Sequence, residues 1–358
     1  MDQDSKAIIA TGGLGSTALA LEPELAEALN EVIAAAKSDN TRRAYAAQVA
    51  KFEAWCQRHR TSALPATPAV VAIYLTDLAK TGAGPTKPPK GAKVATVGLA
   101  LSAISAAHRI AGFAVDVRSC EIREAMKGIR KKFAAPQAQA EPLKPTMVRV
   151  ILSSLNGSNL AVDRRDAALI SLLFAAALRR SEICGLDYGQ AGAGDGYLQL
   201  TSEAVEITLL RSKARTEPVT VKIPRAENPG LVAALERWIA IAGVAEGEPL
   251  FRSIKKGGDI RHIRGRINDG GVNVVLKGRI ARYLQDCGYT PEAAAKEAAK
   301  YSGHSGRVGM YTAASEAGVA IDAVASLARH KSLNVAQKYA RNADQSKRAP
   351  SKNPALAI

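Results

Sequence analysis

The chain has 358 residues, of which 47% are hydrophobic and 23% charged, and its 49 Lys+Arg against 33 Asp+Glu leave a formal net charge of +16. At roughly 100–200 residues per domain, this length predicts two domains, each with its own core, and the composition excludes a disordered or fibrous chain. No apolar run reaches the roughly 18 residues of a membrane span, and Met1-Asp-Gln-Asp-Ser-Lys6 is not a basic signal-peptide start, so a cytoplasmic protein is expected.

The positive surplus points to a polyanion, most simply nucleic acid, although a generally basic protein would carry the same total. Residues 1–138 carry +6 and residues 139–358 carry +10, so no single tail holds the charge. The scattered Cys56, Cys120, Cys184 and Cys287 form no C-x-x-C or Cys/His pairing, which argues against a zinc site or a disulfide framework.

In chain order, residues 1–20 mix small residues without periodicity and are expected to form a flexible arm. Within it, Gly13-Leu-Gly15-Ser-Thr-Ala18 fits a dinucleotide-binding fingerprint, but helical segments follow where that fingerprint needs a strand-turn-helix-strand unit. Residues 21–133 read as a helical domain. Pro23 opens a first helix, and Asp39 or Asn40 caps a second that carries Tyr45, Val49, Phe52 and Trp55 on one face. Further helices are predicted over 70–78, 94–111 and 119–133, with the Pro/Gly-rich basic stretch 82–91 as a loop. Residues 134–142 read as a linker.

The second domain, 143–345, opens with helices over 145–155 and 164–182. Strands are predicted over 197–200, 205–210 and 219–223, the last two as a hairpin, and the rest reads as mainly helical up to a polar tail, 346–358, broken by Pro350 and Pro354. The fold class expected is therefore mainly α with a small antiparallel β-sheet in the C-terminal domain.

Four stretches of this domain concentrate reactive groups. In Ala177-Leu-Arg-Arg-Ser-Glu-Ile183, Arg179 and Glu182 lie three apart, so that the carboxylate can hold the guanidinium; a surface ion pair would look the same. Lys213 sits in the polar connection of the hairpin, where an ammonium can serve as a point charge or a proton donor. In Ser302-Gly-His-Ser-Gly-Arg-Val-Gly309, His304 and Arg307 stand at a helix start among small residues that would let a bulky partner approach. In the fourth stretch, 328–341, His330 precedes Tyr339 by nine residues among basic neighbours.

Taken together, Arg179, Lys213, His304-x-x-Arg307, His330 and Tyr339, in that order, resemble the active-site series of the tyrosine recombinases, the phage integrase family. The resemblance covers the whole second domain and is strongest to the Cre-like branch at 302–309, 317–321 and 334–342; Thr41-Arg-Arg-Ala-Tyr45 and Ala54-Trp-Cys56 resemble the family's helical core-binding domain. It implies a C-shaped clamp of two domains around duplex DNA and a site-specific recombinase working through a 3′-phosphotyrosyl intermediate and a Holliday junction, without metal or ATP. In that scheme Tyr339 attacks the phosphorus, Arg179 and Arg307 clamp the phosphate, and Glu182 orients them. Lys213 protonates the departing 5′-oxygen, His304 assists proton transfer at Tyr339, and His330 hydrogen-bonds the phosphate where the Cre-like branch carries Trp.

The resemblance also implies double-stranded DNA with an inverted-repeat site as partner, one dimer per site and a homotetramer on DNA. Arg42 and Arg43, and Lys277, Arg279 and Arg282, are the candidate DNA contacts, although a solvated basic face would explain them as well. A topoisomerase-like strand transferase shares the chemistry, and a non-catalytic DNA-binding regulator shares the charge. The complete catalytic series argues against the regulator, and the separate helical first domain argues against the topoisomerase.

Overall fold

In the computed structural model the described residues are 39–83, 91–113, 115–135, 140–210, 217–254, 261, 263–319 and 329. The predicted arm 1–20, the helix opening at Pro23, most of the 82–91 loop, Lys213, His330, Tyr339 and the tail 346–358 lie outside them. The chain divides into two units, residues 1–137 and 138–358.

Within the described residues, the first unit consists of helices α1 (Asp39–Arg58), α2 (Pro68–Thr81), α3 (Val94–Ile110) and α4 (Cys120–Phe133). Local chemistry sets their ends. Thr67 caps α2 by accepting from the Val70 amide, Pro68 fits the first turn, and Gly82 closes the helix at φ +81. Ser119 caps α4 in the same way through the Ile122 amide. The apolar faces meet at an aromatic cluster in which Phe52 and Trp55 pack on Tyr74 at centroid distances of 4.9 and 5.4 Å. Trp55 Nε1 donates to Asp77 at 2.9 Å, so the buried indole keeps a polar partner. His108 is buried as well. Its Nε2 accepts from the Ala66 amide, which leaves Nδ1 to donate to the Ile104 carbonyl.

The second unit contains α5 (Pro145–Asn156), α6 (Ala161–Ala175), α7 (Arg180–Cys184), β1 (Leu186–Tyr188), β2 (Gly196–Leu200), β3 (Ala204–Leu209), β4 (Val219–Pro224), α8 (Pro229–Ala242), β5 (Arg252–Ile254), β6 (Ile263–Arg266), α9 (Asp269–Asp286), α10 (Pro291–Ala298) and α11 (Ser305–Glu316). The four-stranded sheet runs in the order β1-β2-β3-β4, with β1 parallel to β2 and the other pairs antiparallel. Its inward residues Leu198, Val205, Ile207, Val221 and Ile223 share one core with α5, α6, α8 and α9. Trp238 is fully buried there and donates to the Leu250 carbonyl at 2.6 Å.

The predicted hairpin is β3–β4. Leu209 pairs with Val219 at its end, so Lys213 belongs to the connection between them, outside the described residues. Two predictions need correction. The three predicted strands are joined by β1 and by the separate pair β5–β6. Those segments are three or four residues long, and Arg252-Ser-Ile254 and Ile263-Arg-Gly-Arg266 show no apolar alternation to reveal them. The single helix predicted over 164–182 is two helices, broken at Ala176–Arg179.

Candidate active site

That break builds the site. Ala177 adopts φ +46, a left-handed conformation that costs a non-glycine residue roughly 1 kcal/mol or more, and it turns the chain so that α7 starts afresh at Arg180. Arg179 is therefore the N-cap of α7, not a residue within a longer helix, and Glu182 is its third residue. The Glu182 carboxylate accepts from the Arg179 amide at 2.8 Å and from Arg179 Nη1 at 2.5 Å, which caps the first turn of α7 and fixes the guanidinium. The side-by-side placement expected from a spacing of three is thus reached through a cap.

A third donor reaches the same carboxylate. Arg329 Nη2 donates to Glu182 Oε2 at 2.9 Å, and both residues are buried, at 8% and 6% exposure. Burial alone would raise the Glu182 pKa. The Arg329 charge, the Arg179 amide and the Arg179 guanidinium outweigh it and hold the carboxyl below its ordinary range. Nothing local in the sequence distinguishes Arg329 from the other basic residues of 328–341.

Arg307 lies on α11 and has no exposed surface. Its Nη1 donates to the Ala177 carbonyl at 3.1 Å, so the strained residue of the break also anchors this guanidinium. Burial, and after it the neighbouring Arg179 charge, lowers the Arg307 pKa to about 10, which still leaves it protonated at neutral pH. The small residues expected to admit a bulky partner serve the fold instead. A Cβ on Gly309 would lie 2.1 Å from the Leu143 carbonyl oxygen, and one on Gly306 would lie 2.8 Å from Leu173 Cγ, so both glycines let α11 press against the protein's own backbone and α6.

His304 occupies the N-cap position of α11, one turn from Arg307. Three bonds hold its loop: the Gly303 amide donates to Asn273 Oδ1 of α9 at 2.8 Å, the Ser302 amide to Ser305 Oγ at 2.9 Å, and the His304 amide to Ser302 Oγ at 3.2 Å. Asn273 is a second positioning residue without a sequence signal, 30 residues from the amide it holds. His304 keeps an exposed face, yet the protein packed around the ring, and then the Arg307 and Arg179 charges, lower its pKa from the usual histidine value. The imidazole is therefore neutral at pH 7 and able to accept a proton.

The structure thus brings together Arg179, Glu182, His304 and Arg307 of the predicted set and adds Arg329. Lys213, His330 and Tyr339 lie outside the described residues. Among the predicted DNA contacts, Arg42 and Arg43 are exposed on the first turns of α1, and Arg43 also reaches Asn40 Oδ1. Lys277 is half-buried on α9, and Arg282 is exposed with its side chain beside Asp286 at 3.3 Å. Arg279 turns inward instead. It donates to Asp166 at 2.7 Å and to Asp163 at 2.5 Å, and Asp166 in turn holds the buried Arg165, so these two aspartates and two arginines form an internal network between α6 and α9.

No helix among the described residues is long and apolar enough to cross a membrane. Residues 143–346 match the phage integrase family. The chain is 29% identical over 310 residues to an integrase/recombinase XerD homolog of Selenomonas ruminantium, spanning 85% of this chain and 82% of the relative. It is 25% identical over 303 residues to the recombinase Cre of Escherichia phage P1, spanning 82% and 81%. Among solved structures, a lambda integrase dimer bound to a COC′ core site is similar at 16% identity and a TM-score of 0.49, over 87% of this chain and 74% of that one.

Proposed function

Because the chain belongs to the phage integrase family, we propose that it is a site-specific recombinase that cuts and rejoins duplex DNA in the bacterial cytoplasm through a 3′-phosphotyrosyl intermediate and a Holliday junction. The observation that carries this reading is the Glu182-braced guanidinium of Arg179 beside Arg307 and a neutral His304. A phosphodiester repels nucleophiles, and its charge grows as an oxyanion attacks, so a preorganised pair of guanidiniums lowers that barrier.

In the proposed step the Tyr339 oxygen bonds to phosphorus while the bond from phosphorus to the 5′-oxygen breaks. The tyrosine proton passes to His304, and Lys213 gives a proton to the departing oxygen. One phosphoester replaces another, so religation needs no ATP, and no metal enters the scheme. His330 would hydrogen-bond the phosphate. Arg307 has no exposed surface in this structure, so its contact with the phosphate requires the side chain to be uncovered when DNA binds.

Arg42, Arg43, Lys277 and Arg282 are proposed as DNA contacts, whereas Arg279 belongs to the scaffold. An inverted-repeat site would hold one dimer, and two such sites would make the tetramer.

The test is covalent trapping on nicked suicide substrates carrying inverted repeats from the replicon of the chain itself. Wild-type protein is expected to form an adduct that survives denaturation, and Tyr339→Phe to form none. An adduct that persists in the variant removes Tyr339 as nucleophile. Tight binding with no adduct on any substrate supports a DNA-binding regulator instead.

A further inference from the structure

We propose that Arg329 is a positioning residue for strand cleavage. Through Glu182 it sets the charge and orientation of the Arg179 guanidinium, without touching DNA itself. This inference rests on the recombinase reading above. Both Glu182 oxygens are engaged: Oε1 accepts from Arg179 Nη1, and Oε2 accepts from the Arg179 amide and from Arg329 Nη2. A carboxylate held by Arg179 alone could swing with that side chain, which is 25% exposed. The Arg329 bond, between side chains 6% and 5% exposed, clamps the carboxylate from the buried side, where no water competes.

The backbone gives a second, independent observation. Arg329 sits at φ +55, a region costly for any residue with a β-carbon. Glycine would occupy this position without that cost, so the fold carries the strain at the residue whose side chain reaches Glu182. Ala177, which accepts from Arg307, is strained in the same sense, so two of the four non-glycine residues at positive φ among the described residues flank this one cluster.

The charges have a consequence for the reaction. Among the described residues of the cluster, Arg179, Arg307 and Arg329 gather around Glu182, an arrangement suited to a phosphate that gains negative charge as it is attacked. Arg329 is screened from the surface and neutralises Glu182. Arg179 can then give its charge to the phosphate without having it cancelled by its own brace.

The test compares Arg329→Gln and Arg329→Lys with wild type in the full chain, in single-turnover cleavage of two suicide substrates. One carries an ordinary scissile phosphodiester and the other an uncharged methylphosphonate. On the phosphodiester, Arg329→Gln is expected to slow cleavage by about 10- to 100-fold while the DNA dissociation constant changes by less than about 3-fold. On the methylphosphonate, where there is no charge to neutralise, the loss should fall below about 3-fold. Arg329→Lys should recover part of the rate. A loss equal on both substrates, or no loss on either, overturns the inference. If Arg329→Gln does not fold by circular dichroism, Arg329→Lys takes over the comparison with the same criterion. Wild-type protein that forms no adduct refutes the recombinase reading itself, and this inference with it.

Discussion

Replacing Glu182 with Gln removes a charge from the centre of the site while keeping its volume. The carboxylate accepts from Arg179 Nη1 at 2.5 Å, the Arg179 amide at 2.8 Å and Arg329 Nη2 at 2.9 Å. Glutamine offers one acceptor oxygen and turns its amide donors toward a guanidinium. Removing one partner of a buried ion pair costs about 3–5 kcal/mol. The Arg179 side chain is 25% exposed, so water replaces much of what it loses, and its share is discounted to below about 1 kcal/mol. Arg329, at 6% side-chain exposure, carries most of the cost.

The expected loss at pH 7 is about 3–4 kcal/mol. In a unit spanning residues 138–358 this lowers the unfolding midpoint by about 6–16 °C. The chain has two tryptophans, one in each unit, so in a Trp55→Phe background the fluorescence of buried Trp238 reports this unit in the full chain. The pH dependence has a definite sign. The Glu182 pKa is lowered on folding, so its advantage over Gln is complete above the ordinary carboxylate value of 4.5 and is lost as pH falls through the lower folded value. A midpoint shift under about 2 °C at pH 7, or a gap that does not narrow in acid, would refute the reasoning.

Further expectations follow from the same structure. Cleavage should be independent of His304 protonation above pH 6.5 and fall in acid with a midpoint below that value; His304→Gln should abolish this inflection and slow cleavage by about 100-fold or more, as read from pH–rate profiles. Gly309→Ala places a β-carbon 2.1 Å from the Leu143 oxygen and should cost at least about 2 kcal/mol in urea denaturation, whereas Gly278→Ala, on α9 with open space around it, should stabilise by about 0.5–1 kcal/mol. Arg279→Ala strands Asp163 and leaves Asp166 with Arg165 alone, and should destabilise by about 2–4 kcal/mol while leaving the salt dependence of DNA binding unchanged. Arg282→Ala should do the reverse, with stability within about 0.5 kcal/mol and a salt slope reduced by about one counterion.

What the amino-acid sequence determined by itself is what neighbours in the chain decide. Ser119 starts α4 because capping involves residues within one helical turn, and the β3–β4 hairpin follows from alternation around a polar connection. The order and spacing of Arg179, His304 and Arg307 were legible for a different reason: a recurring chemistry leaves the same side chains at recognisable intervals. The tertiary structure alone decided how those side chains are held. The break at Ala177 interrupts a stretch that reads as a continuous helix, and its carbonyl accepts from an arginine 130 residues further on. Arg329 reaches Glu182 across 147 residues, and Arg279 finds its aspartates across 113 and 116. A basic residue reads the same in a sequence whether it faces solvent, a phosphate or a buried carboxylate. Which of these it meets depends on the packing of distant segments, and burial then decides whether its charge braces the fold or serves the reaction.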